Sequence, residues 1–146
     1  DIWGPTDLHG DRLPPPEDTP PLVLWHGVQR EGEFDEGDPF YGMSPDDNQP
    51  ATGDKNDPMM PIAWTKTYQI PEGQQGRVFA TTIGSSTDLL SEGTRRMMVN
   101  AVFWLLDMQV PEQAKVDLVG NYQPSRFAFQ EDAYWDQKRL EIKDLQ

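Results

Sequence analysis

Cysteine is absent from all 146 residues, which excludes disulfides, thiolate metal sites and a cysteine nucleophile. Histidine is scarce, with only His9 and His26, so few side chains titrate near neutral pH without a shifted pKa. Basic residues are also few: 12 Lys and Arg stand against 25 Asp and Glu, a net charge of −13. Such a surface repels phosphate backbones and anionic headgroups, so the sequence argues against nucleic acid or a membrane surface as partner. No apolar run reaches the eighteen residues that a membrane-spanning helix needs.

The charge is uneven. Fourteen acidic and three basic residues fall within 1–58, while 59–146 is nearly balanced with eleven and nine. Five Trp, six Phe and six Met supply large apolar side chains, enough for one core in a chain of this length.

Five prolines within 1–20, including Pro14-Pro15-Pro16, predict an extended, irregular lead-in. Leu22 to Val28 is a short apolar run flanked by turn residues and reads as a strand buried on both faces. Residues 29–58, dense in Glu, Asp, Gly, Asn and Pro, read as a long loop. Ile62–Tyr68 and Arg77–Ile83, separated by Gly73-Gln74-Gln75-Gly76, predict an antiparallel hairpin.

A helix is predicted from about Leu89 to Met108. Leu90, Met97, Ala101, Trp104, Leu105 and Met108 fall near a 3.6-residue period, and Met98, Val102 and Leu106 widen the stripe. Asp88 or Ser91 supplies the N-cap, and Pro111 lies beyond the end. Lys115–Val119 reads as a short extended piece, followed by aromatic anchors that include Phe127 and Phe129. Three strands are few for a helix this apolar, and a sheet of greater extent is expected to cover it.

Several segments, in order, resemble one family. They are Asp1-Ile2-Trp3-Gly4-Pro5-Thr6-Asp7, Lys55 to Tyr68 (with Asn56-Asp57-Pro58-Met59-Met60-Pro61-Ile62-Ala63-Trp64), Gly76-Arg77-Val78-Phe79, Thr81-Thr82-Ile83-Gly84, Arg95 to Trp104, and Val116 to Tyr122. Together with Phe127-Ala128-Phe129 they are similar to the C-terminal part of ThuA-like (trehalose-utilisation) domains. The resemblance implies an α/β fold: a flavodoxin-like, class I glutamine amidotransferase-like three-layer sandwich, carrying a β-hairpin and long loops. Residues 1–129 would form its C-terminal portion, with the first strands and helices upstream, and 130–146 a charged tail of helical character.

It also implies a role in disaccharide or keto-sugar utilisation, a small carbohydrate as partner, and export. The alternative is a non-catalytic carbohydrate-binding or interaction module of a larger exported protein. No cofactor is named by either reading. Two departures stand out. Where many family members have Gly-His, this chain has Gly84-Ser85, and the amidotransferase Cys-His-Glu triad has no counterpart here.

Candidate site residues follow from residue chemistry. His26, at a strand end, and Asp7 are the candidate acid-base groups. Gly84, Ser85 and Ser86 lie between a strand and a helix start, where free N–H groups favour an anion or sugar hydroxyl; capping of the helix is the competing role for Asp88 and Ser91. Trp3 and Trp64 are candidate stacking platforms for sugar faces, although a tryptophan is as often packing. Asp54, Asn56 and Asp57 supply oxygen ligands but miss the EF-hand pattern, leaving an Asx-turn as the simpler role and no metal assigned.

Overall fold

The computed structural model describes residues 2–4, 19–29, 49–125, 131–139 and 141. Its elements among the described residues are β1 (Pro21–Trp25), β2 (Val28–Gln29), β3 (Gln49–Pro50), β4 (Met60–Gln69), β5 (Gln75–Thr81), α1 (Glu92–Leu105) and α2 (Asp132–Lys138), with a 3-10 turn at Asp88–Leu90. Helix and strand are mixed in a small α/β arrangement. The main sheet has the order β1-β4-β5 and is antiparallel throughout; β2 and β3 form a separate two-stranded ladder.

The hairpin forms as its sequence predicts. β4 and β5 stay in register from Ala63↔Thr81 to Gln69↔Gln75. The reversal comes earlier than the glycines suggest: the Gly73 N–H donates to the Ile70 carbonyl at 3.0 Å, across Pro71 and a left-handed Glu72 (φ 60°). Proline pre-sets the second turn position, and the third takes the positive φ of a type II turn. Gly76 lies inside β5 under the Tyr68 ring, where a Cβ would sit 2.3 Å from a ring carbon.

β1 departs from expectation. It pairs only with β4, through two register shifts, so it is an edge strand. Leu22 is 56% exposed and Leu24 48%. Burial on both faces requires packed layers above and below the sheet, and the exposure of these side chains shows that β1 lacks such cover among the described residues. An apolar run of this length cannot by itself distinguish the two situations.

α1 is shorter than its periodicity suggests. At its start the Ser91 hydroxyl accepts the Thr94 N–H at 3.3 Å, so Ser91 is the N-cap and the preceding turn is 3-10. At its end Asp107 is left-handed (φ 58°). Its N–H donates to the Trp104 carbonyl at 3.1 Å, and the Met108 N–H donates to the Phe103 carbonyl at 2.9 Å. This pair of bonds is a Schellman motif, closed here by Asp rather than the usual Gly. Within the first turn, Glu92 is paired with Arg96. That hydrogen bond and the guanidinium charge hold the Glu92 carboxyl below the usual carboxylate range.

Two arginines fasten α1 to its surroundings. Arg77 of β5 donates from Nη1 to the Trp104 carbonyl at 2.7 Å and from Nη2 to Asp107 Oδ1 at 2.6 Å, with its guanidinium 5.3 Å from the Trp104 ring centroid. It thereby ties the sheet to the helix C-terminus, where a cation complements the dipole. Arg95 donates to three carbonyls: Nε to Val116 at 2.7 Å, and Nη1 to Leu89 at 2.6 Å and Leu90 at 3.0 Å. The strand-like stretch expected at 115–119 pairs with no ladder and is held partly through this bond. Ala114 and Val116 point inward, joining Ile62, Ala63, Ile83 and Ala101 as the buried apolar core.

That core is thin. Along α1 only Thr94 and Ala101 are buried, while Val102 is 53% exposed and Leu106, just past its end, 65%. The wide apolar stripe is therefore covered on one side only among the described residues.

Arg95→Met is expected to destabilise the fold by about 3 kcal/mol, because three carbonyls lose a charged donor. Arg95→Lys should recover less than half, since an ammonium cannot reproduce the planar fork. Urea unfolding midpoints of the three proteins measure this; equal midpoints would mean that water replaces the guanidinium.

Candidate functional site

The segment after β5 folds around a buried carboxylate. Asp88 is fully buried, and its Oδ2 accepts the N–H groups of Gly84 at 2.9 Å and Ser85 at 2.8 Å. A carboxylate taken out of water must be hydrogen-bonded, and these two donors meet that requirement. The Asp88 N–H donates in turn to the Ser85 carbonyl at 3.0 Å. Asp88 thus bonds back onto the turn before it, and Ser91 caps the helix.

Ile2-Trp3-Gly4 docks on the same place across some 90 positions of sequence. The Trp3 N–H points at the Ser91 hydroxyl at 3.4 Å, and the Thr94 hydroxyl donates to the Trp3 carbonyl at 3.2 Å. Gly4 lies against Asp88 so closely that a Cβ there would be 2.2 Å from Oδ1. Thr87, Asp88, Ser91 and Thr94 are all buried, and the last three are the largest fully buried side chains described. Among the described residues, polar side chains are thus as deeply buried as any apolar one.

Around this nucleus runs a rim of hydroxyls. The Ser85 and Thr87 hydroxyls lie 3.0 Å apart. Ser86 donates from Oγ to the Ser125 carbonyl at 2.7 Å and accepts the Tyr122 hydroxyl on its own carbonyl at 2.7 Å. These bonds bring residues 122–125 alongside the turn. Ser86 is exposed, while Ser85 and Trp3 are half-buried.

The other candidates lie elsewhere. His26 is exposed in the connection between β1 and β2, on a different element from the Gly84–Ser86 turn. Trp64 sits in the middle of β4, within the strand expected there, opposite Ala80 and half-buried. Strand alternation sets it on the sheet face away from Thr65 and Phe79. Asp7 and His9 lie outside the described residues, as do Phe127 and Phe129.

Asn56 makes neither an Asx-turn nor a metal ligand set. Its amide pairs with the backbone of Gly27 in both directions: Oδ1 accepts the Gly27 N–H at 2.7 Å, and Nδ2 donates to the Gly27 carbonyl at 2.9 Å. Among the described residues, no group of three or more His, Cys, Asp or Glu is placed to hold a metal ion. No described helix is long and apolar enough to cross a membrane.

Chemically, the Gly84–Ser85 turn differs from an open anion cradle. Its N–H groups already hold the Asp88 carboxylate, so an incoming phosphate would meet a like charge and donors already in use. What remains near the surface is neutral: the exposed Ser86 and the half-buried Ser85, whose hydroxyls contact Ser125 and Thr87, with the half-buried Trp3 held through its backbone nearby. The sequence places Ser85 and Ser86 at a helix start and offers Trp3 as a stacking platform, without bringing the two together. Sequence reasoning missed Gly4 and Thr94, whose roles depend on the docking of the N-terminal segment.

Asp88→Ala leaves two N–H groups unpaired in a buried site and should cost about 3 kcal/mol. Asp88→Asn, which keeps an acceptor at the Oδ2 position, should cost about 1 kcal/mol. Gly4→Ala should destabilise by about 1–3 kcal/mol through overpacking. Thermal and urea unfolding report all three; a neutral Asp88→Ala would show that the carboxylate does not organise the turn.

In comparisons with known proteins, no family model, curated protein or solved structure matches this chain.

Proposed function

We propose that this chain is the C-terminal part of a ThuA-like domain with a flavodoxin-like, class I glutamine amidotransferase-like sandwich, and that it binds a neutral carbohydrate at the rim formed by Trp3, Ser85 and Ser86. The observation that supports this most is the docking of Trp3-Gly4 onto the junction between β5 and α1. Strand ends facing helix starts are where open α/β sheets gather ligands. With the turn amides committed to Asp88, a rim of hydroxyls and an aromatic ring suits an uncharged polyol better than a phosphorylated one.

The antiparallel sheet is compatible with this reading, because doubly wound sheets often carry antiparallel strands at an edge. The exposed apolar side of α1 is what a helix looks like when a further layer belongs against it. A role in disaccharide or keto-sugar utilisation and an exported location follow from the resemblance alone.

The second reading is a non-catalytic binding module, and one observation favours it. Asp88 is the carboxylate of the described cluster, and it is buried and engaged with backbone donors. It is therefore poorly placed to exchange protons with a substrate, and the described rim holds no other acid-base group.

Calorimetric titration with trehalose, and in parallel with a phosphorylated disaccharide, tests the site. The neutral sugar should bind more tightly, with affinity reduced about tenfold in Trp3→Ala, the magnitude of one lost stacking contact. Turnover in a disaccharide assay, sensitive to His26→Ala, would favour the enzymatic form of the proposal; binding without turnover favours the module. Preference for the phosphorylated sugar would overturn the rim as described.

A further inference from the structure

Beyond α1 the chain returns to the rim as a stretch that joins neither a ladder nor a helix. Its last firm hold is the Val116 carbonyl, which accepts Arg95 Nε at 2.7 Å. From 118 to 125, two hydrogen bonds are the only ones among the described residues, and both end on Ser86. The Tyr122 hydroxyl donates to the Ser86 carbonyl at 2.7 Å, and the Ser86 hydroxyl donates to the Ser125 carbonyl at 2.7 Å. Between these anchors Val119 is 94% exposed, and Gly120 is left-handed (φ 69°) with open space where a Cβ would stand.

The two sides of this contact differ in firmness. Ser86 stands on a turn held from beneath, because the buried Asp88 carboxylate accepts the Gly84 and Ser85 N–H groups and the Asp88 N–H donates to the Ser85 carbonyl. The 118–125 stretch has no such base. A hydrogen bond at an exposed residue exchanges readily with water and adds little net stability. When the pair breaks, the turn keeps its shape and the stretch moves, as segments with few bonds and thin packing do.

We propose that 118–125 is a strap latched on Ser86 and hinged at Gly120, an autoinhibitory contact that releases before the rim takes its ligand. The latch stands on the two bonds, while the nature of the ligand rests on the carbohydrate reading given above. The chemistry of the two occupants matches. The strap brings a hydroxyl to the Ser86 carbonyl and an acceptor oxygen to the Ser86 hydroxyl, and neighbouring hydroxyls of a sugar bring the same two functions. Strap and sugar therefore compete for one residue, and the apparent affinity for sugar falls with the fraction of chains that is latched.

Thermolysin, which cuts before Leu118 and Val119, reads the opening with no ligand present, since cleavage follows the open population when reclosing is fast. Tyr122→Phe and Ser86→Ala each remove one bond, and each should speed this cut in the full chain about fivefold. The double variant should be about 25-fold faster, because effects on one strap multiply. Single variants cut at the rate of the unaltered chain would overturn the latch. A double variant no faster than the faster single would overturn the single strap. The two substitutions remove different atoms, so either one decides the matter where the other fails to fold.

Trehalose should bind Tyr122→Phe about fivefold more tightly than the unaltered chain, and should speed the cut in the unaltered chain by drawing it toward the open form. A slower cut with trehalose bound would overturn the autoinhibitory sense. Failure of trehalose to bind either form would overturn the carbohydrate reading, and the ligand-free rates would still decide the latch.

Discussion

The Asp88 carboxylate sets the constraint from which the rest of the structure follows. A fully buried anion needs donors, and the Gly84 and Ser85 N–H groups supply them only if the chain turns back immediately after β5. That reversal places Ser91 at the head of α1, and Ser91 and Thr94 then fasten the backbone of Trp3. Gly4 must lack a side chain because the same carboxylate occupies the space. Strand end, helix start and N-terminal segment are therefore one polar unit. The hydrophobic effect contributes elsewhere, through small residues such as Ala63 and Ala101 and through Ile62 and Ile83.

Local signals were legible where the physics is local. The hairpin follows from two β-rich runs around a Pro- and Gly-containing connection, and α1 from its periodicity and its Ser91 cap. The helix end was not legible, because a left-handed Asp107 closes a Schellman motif that sequence patterns associate with Gly. The exposure of β1 was hidden for another reason: edge or centre is decided by pairing with β4, some forty residues away. Asn56 looked like a turn or cation ligand because its partner, Gly27, is remote in sequence. The rim was half legible. Ser85 and Ser86 announce themselves by position, whereas Thr94 becomes informative only once Trp3 is seen against it.

The uncovered apolar side chains deserve a physical account of their own. Leu22 and Leu24 on the edge strand, Val102 on the helix and Leu106 just past its end are each largely exposed. Single exposed apolar side chains are ordinary, whereas larger apolar surfaces mark places of contact. A sheet of three strands presents too narrow a face to cover a helix that is apolar around so much of its girth. That geometry is why the sandwich proposal is preferred to a self-contained hairpin-and-helix unit. A unit of this kind would have placed charges on the far side of α1.

Asn100 bears on the same question from inside. An unpaired buried oxygen costs on the order of 1–3 kcal/mol, a sizeable share of the 5–15 kcal/mol that holds a domain folded. Leucine at that position would complete the stripe formed by Met97, Ala101 and Trp104 and remove the cost. The opposite holds at the Asp88 turn, where the carboxylate and the Ser85 and Ser86 hydroxyls each find a partner within the chain. Polar burial is therefore inexpensive where the turn after β5 supplies donors and acceptors together, and costly where a helix stripe carries one amide among apolar neighbours.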